Sequence, residues 1–124
     1  MEYLRTVDFD TLLGTDARVS QALLDARTGA TSCAVSCVKT PPGEGSPAGL
    51  HTHQVDQLFY VLQGTMTVEI EGTVQRAGPG TLVVFPAGVP HRNWNEGPEA
   101  TVHISVVAPV PDGTLPFATP VATT

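Results

Sequence analysis

Short apolar runs broken by glycine and proline dominate the chain, and no window of a dozen residues carries a helical stripe clear of both. Eleven prolines and twelve glycines supply the breaks, at the spacing of an all-β sandwich or barrel. Strands are predicted over Val19–Asp25, Cys33–Lys39, Leu50–His53, Leu58–Gln63, Thr65–Glu71, Thr81–Phe85 and Val102–Ala108. One or two helical turns are predicted in DFDTLL, where the carboxylate of Asp8 or Asp10 can accept from the free amides of a first turn. No segment repeats at a fixed period.

Two kinds of strand differ in what must cover them. TMTVEIE alternates, so Met66, Val68 and Ile70 are predicted to face the core and Thr67, Glu69 and Glu71 to face water. LFYVL and LVVF are apolar at every position, which calls for cover on both faces. A second copy of the chain, giving a homodimer, or a folded-back terminal segment would provide it. The last stretch, PVPDGTLPFATPVATT, holds four prolines. It is expected to run extended outside any sheet interior, wrapping the barrel or a neighbour or fraying. The chain thus divides into an N-terminal arm with the first strands (1–30), a barrel (31–108) and a Pro-rich tail (109–124).

Size and charge narrow the picture. The 124 residues suffice for one domain with one core. With 41% hydrophobic and 15% charged residues the chain is too apolar for disorder, and no apolar run is long enough to span a bilayer, so a soluble protein is expected. Its acidic start, MEYLRTVDFD, lacks the layout of a signal peptide, which points to the cytoplasm. A net charge of −6 with scattered basic residues would repel phosphate backbones, so nucleic acid is not an expected partner. Cys33 and Cys37 fall on one face of a strand about 13 Å apart, beyond disulfide reach, and read as small buried hydrophobes.

The stretch HTHQVDQ carries the first chemical signal. Alternation points His51 and His53 the same way with Cβ atoms about 7 Å apart, close enough to share one ion. Gln57 has the same parity and completes a third corner if the strand continues or bulges. In GTLVVFPAGVPHRNWN an apolar strand runs into a Pro-x-Gly turn that delivers His91, a histidine with no evident packing role and the best remaining ligand candidate.

These segments resemble the two signatures of the cupin superfamily. Gly45–Gly64 reads Gly, five residues, His-x-His, three residues, Gln57 in place of the usual Glu, six residues, Gly. Gly80–Asn95 reads Gly, five residues, Pro-x-Gly, two residues, His, three residues, Asn. Fifteen residues, Thr65–Pro79, separate them. The resemblance implies a single-domain double-stranded β-helix, or jelly-roll barrel, and a divalent metal (Fe, Zn, Ni or Mn) held by His51, His53, Gln57 and His91. Three imidazoles and an amide are all neutral, so the ion would keep its full +2 charge and attract an enolate or carboxylate more strongly than a carboxylate-ligated site. Gln57 either ligates or hydrogen-bonds a metal-bound water or a neighbouring strand; it cannot take a proton.

By parity Phe59 and Val61 should face the same interior as the ligands, with Leu58, Tyr60 and Leu62 outside. Phe59, Val61 and Met66 then form apolar pocket walls suited to a small enolisable or aromatic metabolite. His103 is a weak acid–base candidate and is expected as a half-exposed strand residue. Asp56 is solvated and a remote candidate base, Asn95 fixes a turn, and Trp94 packs over the barrel mouth or a subunit contact. The resemblance leaves three functions open: dioxygenase-type oxidation, slightly favoured; redox-neutral Lewis-acid cyclisation or isomerisation; and non-catalytic binding of a small molecule.

Overall fold

Ten strands form two five-stranded antiparallel sheets in the computed structural model, which describes residues 1–30 and 32–122. Thr31, where the expected barrel segment begins, and residues 123–124, the end of the expected tail, lie outside the described residues. The strands are β1 (Val19–Leu24), β2 (Ala34–Thr40), β3 (His51–His53), β4 (Asp56–Gln63), β5 (Met66–Ile70), β6 (Thr73–Ala77), β7 (Leu82–Phe85), β8 (His91–Trp94), β9 (Thr101–Ala108) and β10 (Ala118–Pro120). One sheet runs β1-β2-β9-β4-β7 and the other β10-β3-β8-β5-β6. This is the expected all-β architecture, two antiparallel sheets of a jelly-roll barrel.

The seven predicted strands all form, within a residue or two at their ends. Three more, β6, β8 and β10, arise where the pattern of apolar residues is silent. β6 exposes every residue but Ala77 and is held by its ladder to β5. Polar β8, which begins with His91, pairs with β3 and β5. β10 lies in the Pro-rich tail and pairs with β3 at the sheet edge, where Pro120 has no ladder bond to lose. The one helix, α1 (Phe9–Leu13), takes Asp8 as its cap, the carboxylate accepting from the Thr11 amide at 3.1 Å.

The core follows the alternation of β4 and β5. Phe59, Val61, Met66, Val68, Ala77, Val83 and Phe85 form one buried cluster, and Leu12, Cys37 and Val102 a second beneath α1. Thr67, expected to face water, is buried instead. It sits between Arg76 and Trp94 on the neighbouring strands, and the ion pair from Arg76 to Glu96 passes over this face. Cys33 and Cys37 are both free thiols, and burial raises the Cys37 pKa. Tyr60, Leu62, Leu82 and Val84, the outer halves of β4 and β7, stand exposed on the single chain. No helix among the described residues is long and apolar enough to cross a membrane.

Candidate metal centre

Two tight approaches of backbone set the ligands. Gly45 lies so close to β8 that a Cβ there would sit 2.5 Å from the Asn93 carbonyl oxygen, so only glycine lets the β3 approach segment pack on β8. After β7, the Pro86–Gly88 turn is pinned by two bonds. The Gly88 amide donates to the His53 carbonyl at 2.9 Å and the Ala87 amide to Asp56 Oδ1 at 2.9 Å. Asp56 is therefore occupied in holding the turn. The chain leaves this turn directly into His91, which pairs with His51 across β3 and β8.

The three rings meet face to edge, with centroids 4.4–4.9 Å apart. All three are buried, and one ring nitrogen from each lies within 4.8 Å of the others. Each Nδ1 faces a backbone carbonyl: that of Gly49 for His51, Phe117 for His53 at 2.8 Å, and Val89 for His91 at 2.9 Å. A carbonyl only accepts, so the proton of each neutral ring resides on Nδ1 and the Nε2 lone pairs are left to converge. His51 Nε2 and His53 Nε2 are 3.2 Å apart with no proton to share, and His91 Nε2 is buried without a partner. Lone pairs so arranged repel until a cation lies between them. The donor set therefore fits a divalent metal ion of the imidazole-seeking group.

Burial favours the neutral form of His53 and His91. Desolvation lowers the His53 pKa, with the nearby His51 ring adding to the effect, and takes that of His91 down to about 4. His91 thus stays neutral well into acid, and His53 is shifted in the same direction. Gln57 is buried beside them, its Nε2 donating to Ser105 Oγ at 3.1 Å, so its carbonyl oxygen is the end of the amide left for the centre.

A cavity of about 270 Å³ opens beside the centre. Gln57, Phe59 and Phe117 line it together with Arg18, Ser20, Ser36, His103 and Ser105. Of the expected pocket residues only Phe59 belongs to this wall. Val61 and Met66 pack inside the closed core with Val68 and Phe85. His103 is buried, not half-exposed as expected, because β9 is the central strand of its sheet and its inner face looks into the barrel. Asn95 is likewise buried; its amide ties the Thr40 and Glu99 carbonyls and the Gly97 amide, fixing the turn after β8. Trp94 donates to Glu96 at 2.6 Å and carries the Arg92 guanidinium 5.0 Å above its ring.

Sequence reasoning misses Phe117. Its carbonyl fixes the His53 tautomer and its ring stacks on His53 with centroids 4.1 Å apart, yet it lies in a tail whose prolines speak only for an extended path. Truncation after Ala108 removes both contacts and is expected to weaken metal affinity about 10- to 100-fold, measured by chelator competition. Unchanged affinity would show the tail to be dispensable.

A two-sheet barrel holding three convergent imidazoles defines a β-barrel protein with a candidate His₃ metal site. The chain belongs to the cupin family: the Cupin domain profile matches residues 36–107. Among solved structures it is similar to an RmlC-like cupin of double-stranded β-helix fold from Methanocaldococcus jannaschii, with 20% identity, TM-score 0.73 and coverage of 90% of this chain and 94% of that one. KdgF from Halomonas sp. is 28% identical at TM-score 0.65, covering 79% and 84%. The polyketide cyclase RemF from Streptomyces resistomycificus is 24% identical at TM-score 0.65, covering 80% and 72%. A curated relative, endoribonuclease YbeY of Myxococcus xanthus, is 30% identical over 92 residues, 74% of this chain and 31% of that protein. The chain thus spans under a third of that relative's length, and the likeness carries no activity over to it.

Proposed function

We propose that this cupin is a metal-dependent enzyme that rearranges a small, oxygen-bearing metabolite without net oxidation. The observation that carries the reading is the convergence of three Nε2 atoms whose Nδ1 partners are all carbonyls. A bound divalent ion supplies a Lewis acid that polarises a carbonyl or enol oxygen. Around it the protein contributes only neutral donors, His51, His53, His91 and Gln57, so the attraction for a developing enolate is left undiminished. Phe59 and Phe117 restrict water on the approach. The neutral set supports Lewis-acid work over the dioxygenase chemistry that the family resemblance favours slightly, because it opposes oxidation of the ion to the trivalent state. The similar fold of RemF, a polyketide cyclase, supports this reading.

The test is solvent-deuterium exchange at the activated carbon of acetylacetone, followed by NMR with zinc-loaded protein, beside an oxygen electrode. Exchange without oxygen uptake is expected. Uptake that requires iron would replace this reading with oxidation, and neither signal would leave a binding module. Gln57→Glu is expected to retain metal and slow the exchange about tenfold or more, since the carboxylate cancels one unit of the charge acting on the enolate. An unchanged rate would remove the amide from the argument.

A homodimer belongs to the same proposal. Tyr60, Leu62, Leu82 and Val84 form an exposed apolar face on β4 and the edge strand β7. Light scattering after size exclusion is expected to give twice the chain mass, and the double variant Tyr60→Asp, Leu82→Asp the single mass. A monomeric wild type would refute it.

A further inference from the structure

Five of the six basic side chains are engaged within the protein. Arg5 bonds Leu23 and Thr28, Lys39 bonds the Thr15 carbonyl, and Arg27, Arg76 and Arg92 pair with Asp25, Glu96 and Glu69. Arg18 makes no ion pair and no side-chain hydrogen bond among the described residues, although acidic residues outnumber basic ones twelve to six. It lies on the wall of the cavity beside the metal centre.

The sheet register places a buried group with no hydrogen-bond partner among the described residues next to the exposed Arg18. Ser20, Val38, His103 and Val61 form one row across the inner face of β1, β2, β9 and β4, and Arg18, just before β1 and two residues ahead of Ser20, lines the same cavity. His103 lines the same cavity, its ring against Phe59 at 4.0 Å, and its Nδ1 is buried with no hydrogen-bond partner. A lone pair survives such burial more cheaply than an N–H, so the neutral ring carries its proton on Nε2, as a donor. The Arg18 charge reaches this ring and, after burial, is the second cause that holds its pKa near 4, so His103 donates without being a cation.

The metal centre is at the other end. Gln57 pairs with Val107, two inward positions further along β9, which separates the two ends by about 13 Å of strand. Ser36 and Ser105, paired across β2 and β9, mark the wall between them. Asp25, the acidic residue on that wall, is occupied with the Arg27 and Thr28 amides.

We infer that Arg18 and His103 form a carboxylate subsite at the cavity end remote from the metal centre, so that the substrate is an organic acid with its oxygen function at the triad and its carboxylate at Arg18. The guanidinium offers a planar fork and His103 Nε2–H a third donor. This assigns His103 to substrate recognition, not to proton transfer, and it rests on the metal-centred reading above.

Cobalt(II)-loaded protein tests it, because the visible spectrum reports an oxygen ligand at the metal while calorimetry reports affinity. Hexanoate supplies one carboxylate; adipate and suberate supply two at different spans. At least one diacid is expected to bind about tenfold or more tightly than hexanoate, and Arg18→Gln to erase that preference while leaving the hexanoate-induced spectral change as in wild type. Diacids no tighter than hexanoate, or a preference that survives in Arg18→Gln, would overturn the subsite. If the protein takes up no cobalt, the metal-centred reading fails separately. The subsite is then read from hexanoate on metal-free protein: weaker binding in Arg18→Gln upholds it, and equal binding overturns it.

Discussion

Replacing His91 by phenylalanine is expected to lower zinc affinity by more than about 100-fold, measured by chelator competition, while the far-ultraviolet circular dichroism of a β protein persists. Losing a group that merely orients a ligand costs about 10- to 100-fold, and His91 supplies one of the three imidazole lone pairs that converge among the described residues, so its loss should exceed that range. The fold should survive because the ring is replaced by one of similar volume, packed against Phe85 at a centroid distance of 4.4 Å. A second outcome distinguishes a ligand from a structural histidine. His91 Nε2 is buried with no partner, and an unsatisfied buried polar atom costs about 1–3 kcal/mol. Metal-free His91→Phe should therefore unfold in urea at no lower concentration than metal-free wild type. Only the wild type should gain stability when zinc is added, since only it has a site whose occupancy favours the folded state. A variant that holds zinc as wild type does would dissolve the triad as the site.

What the sequence discloses here is side-chain identity at fixed spacing. The two histidines of β3 share a face because strands alternate, and the Pro86–Gly88 turn aims His91 because its backbone amides are tied to His53 and Asp56. The ties of that turn to His53 and Asp56 are long-range contacts, whereas the alternation of β3 and the Pro-x-Gly spacing before His91 are local and can be read in advance. Phe117 and Arg18 cannot. The first acts through a carbonyl, which every residue possesses, and reaches His53 across 64 positions of sequence. The second matters because it pairs with no group among the described residues, a property of the folded charge distribution and not of its neighbours in sequence. β6 and β8 escape for a related reason: with four of five residues exposed, or with a buried histidine followed by three half-buried residues, hydrogen bonding to neighbours defines them rather than apolar periodicity. Burial of His103 follows from the central place of β9 in its sheet, again a matter of strand order and not of the sequence of the strand.

Acid should destabilise the metal-free protein well before its carboxylates dominate. His91 and His103 have folded pKa values of about 4 against an ordinary 6.5, and His53 is shifted in the same direction. Between those limits the unfolded chain binds protons that the folded protein refuses, so stability falls as pH drops through 6.5 and the loss levels off below about 4. Above 6.5 these groups are neutral in both states and contribute no slope. For His103 alone the difference amounts to roughly 3 kcal/mol across the window. It also makes the effect separable. In His103→Phe, urea midpoints measured at pH 7.0, 5.5 and 4.5 should decline less steeply than in wild type, the carboxylates being common to both. Zinc should hold the wild-type midpoint up through the upper part of this range, because protons must displace the ion before they can occupy Nε2 of His51, His53 and His91. Parallel declines in the variant and the wild type would mean that the His103 ring is not held neutral by its surroundings. A zinc-loaded curve that follows the metal-free one from pH 6.5 downward would mean that the three imidazoles do not share an ion.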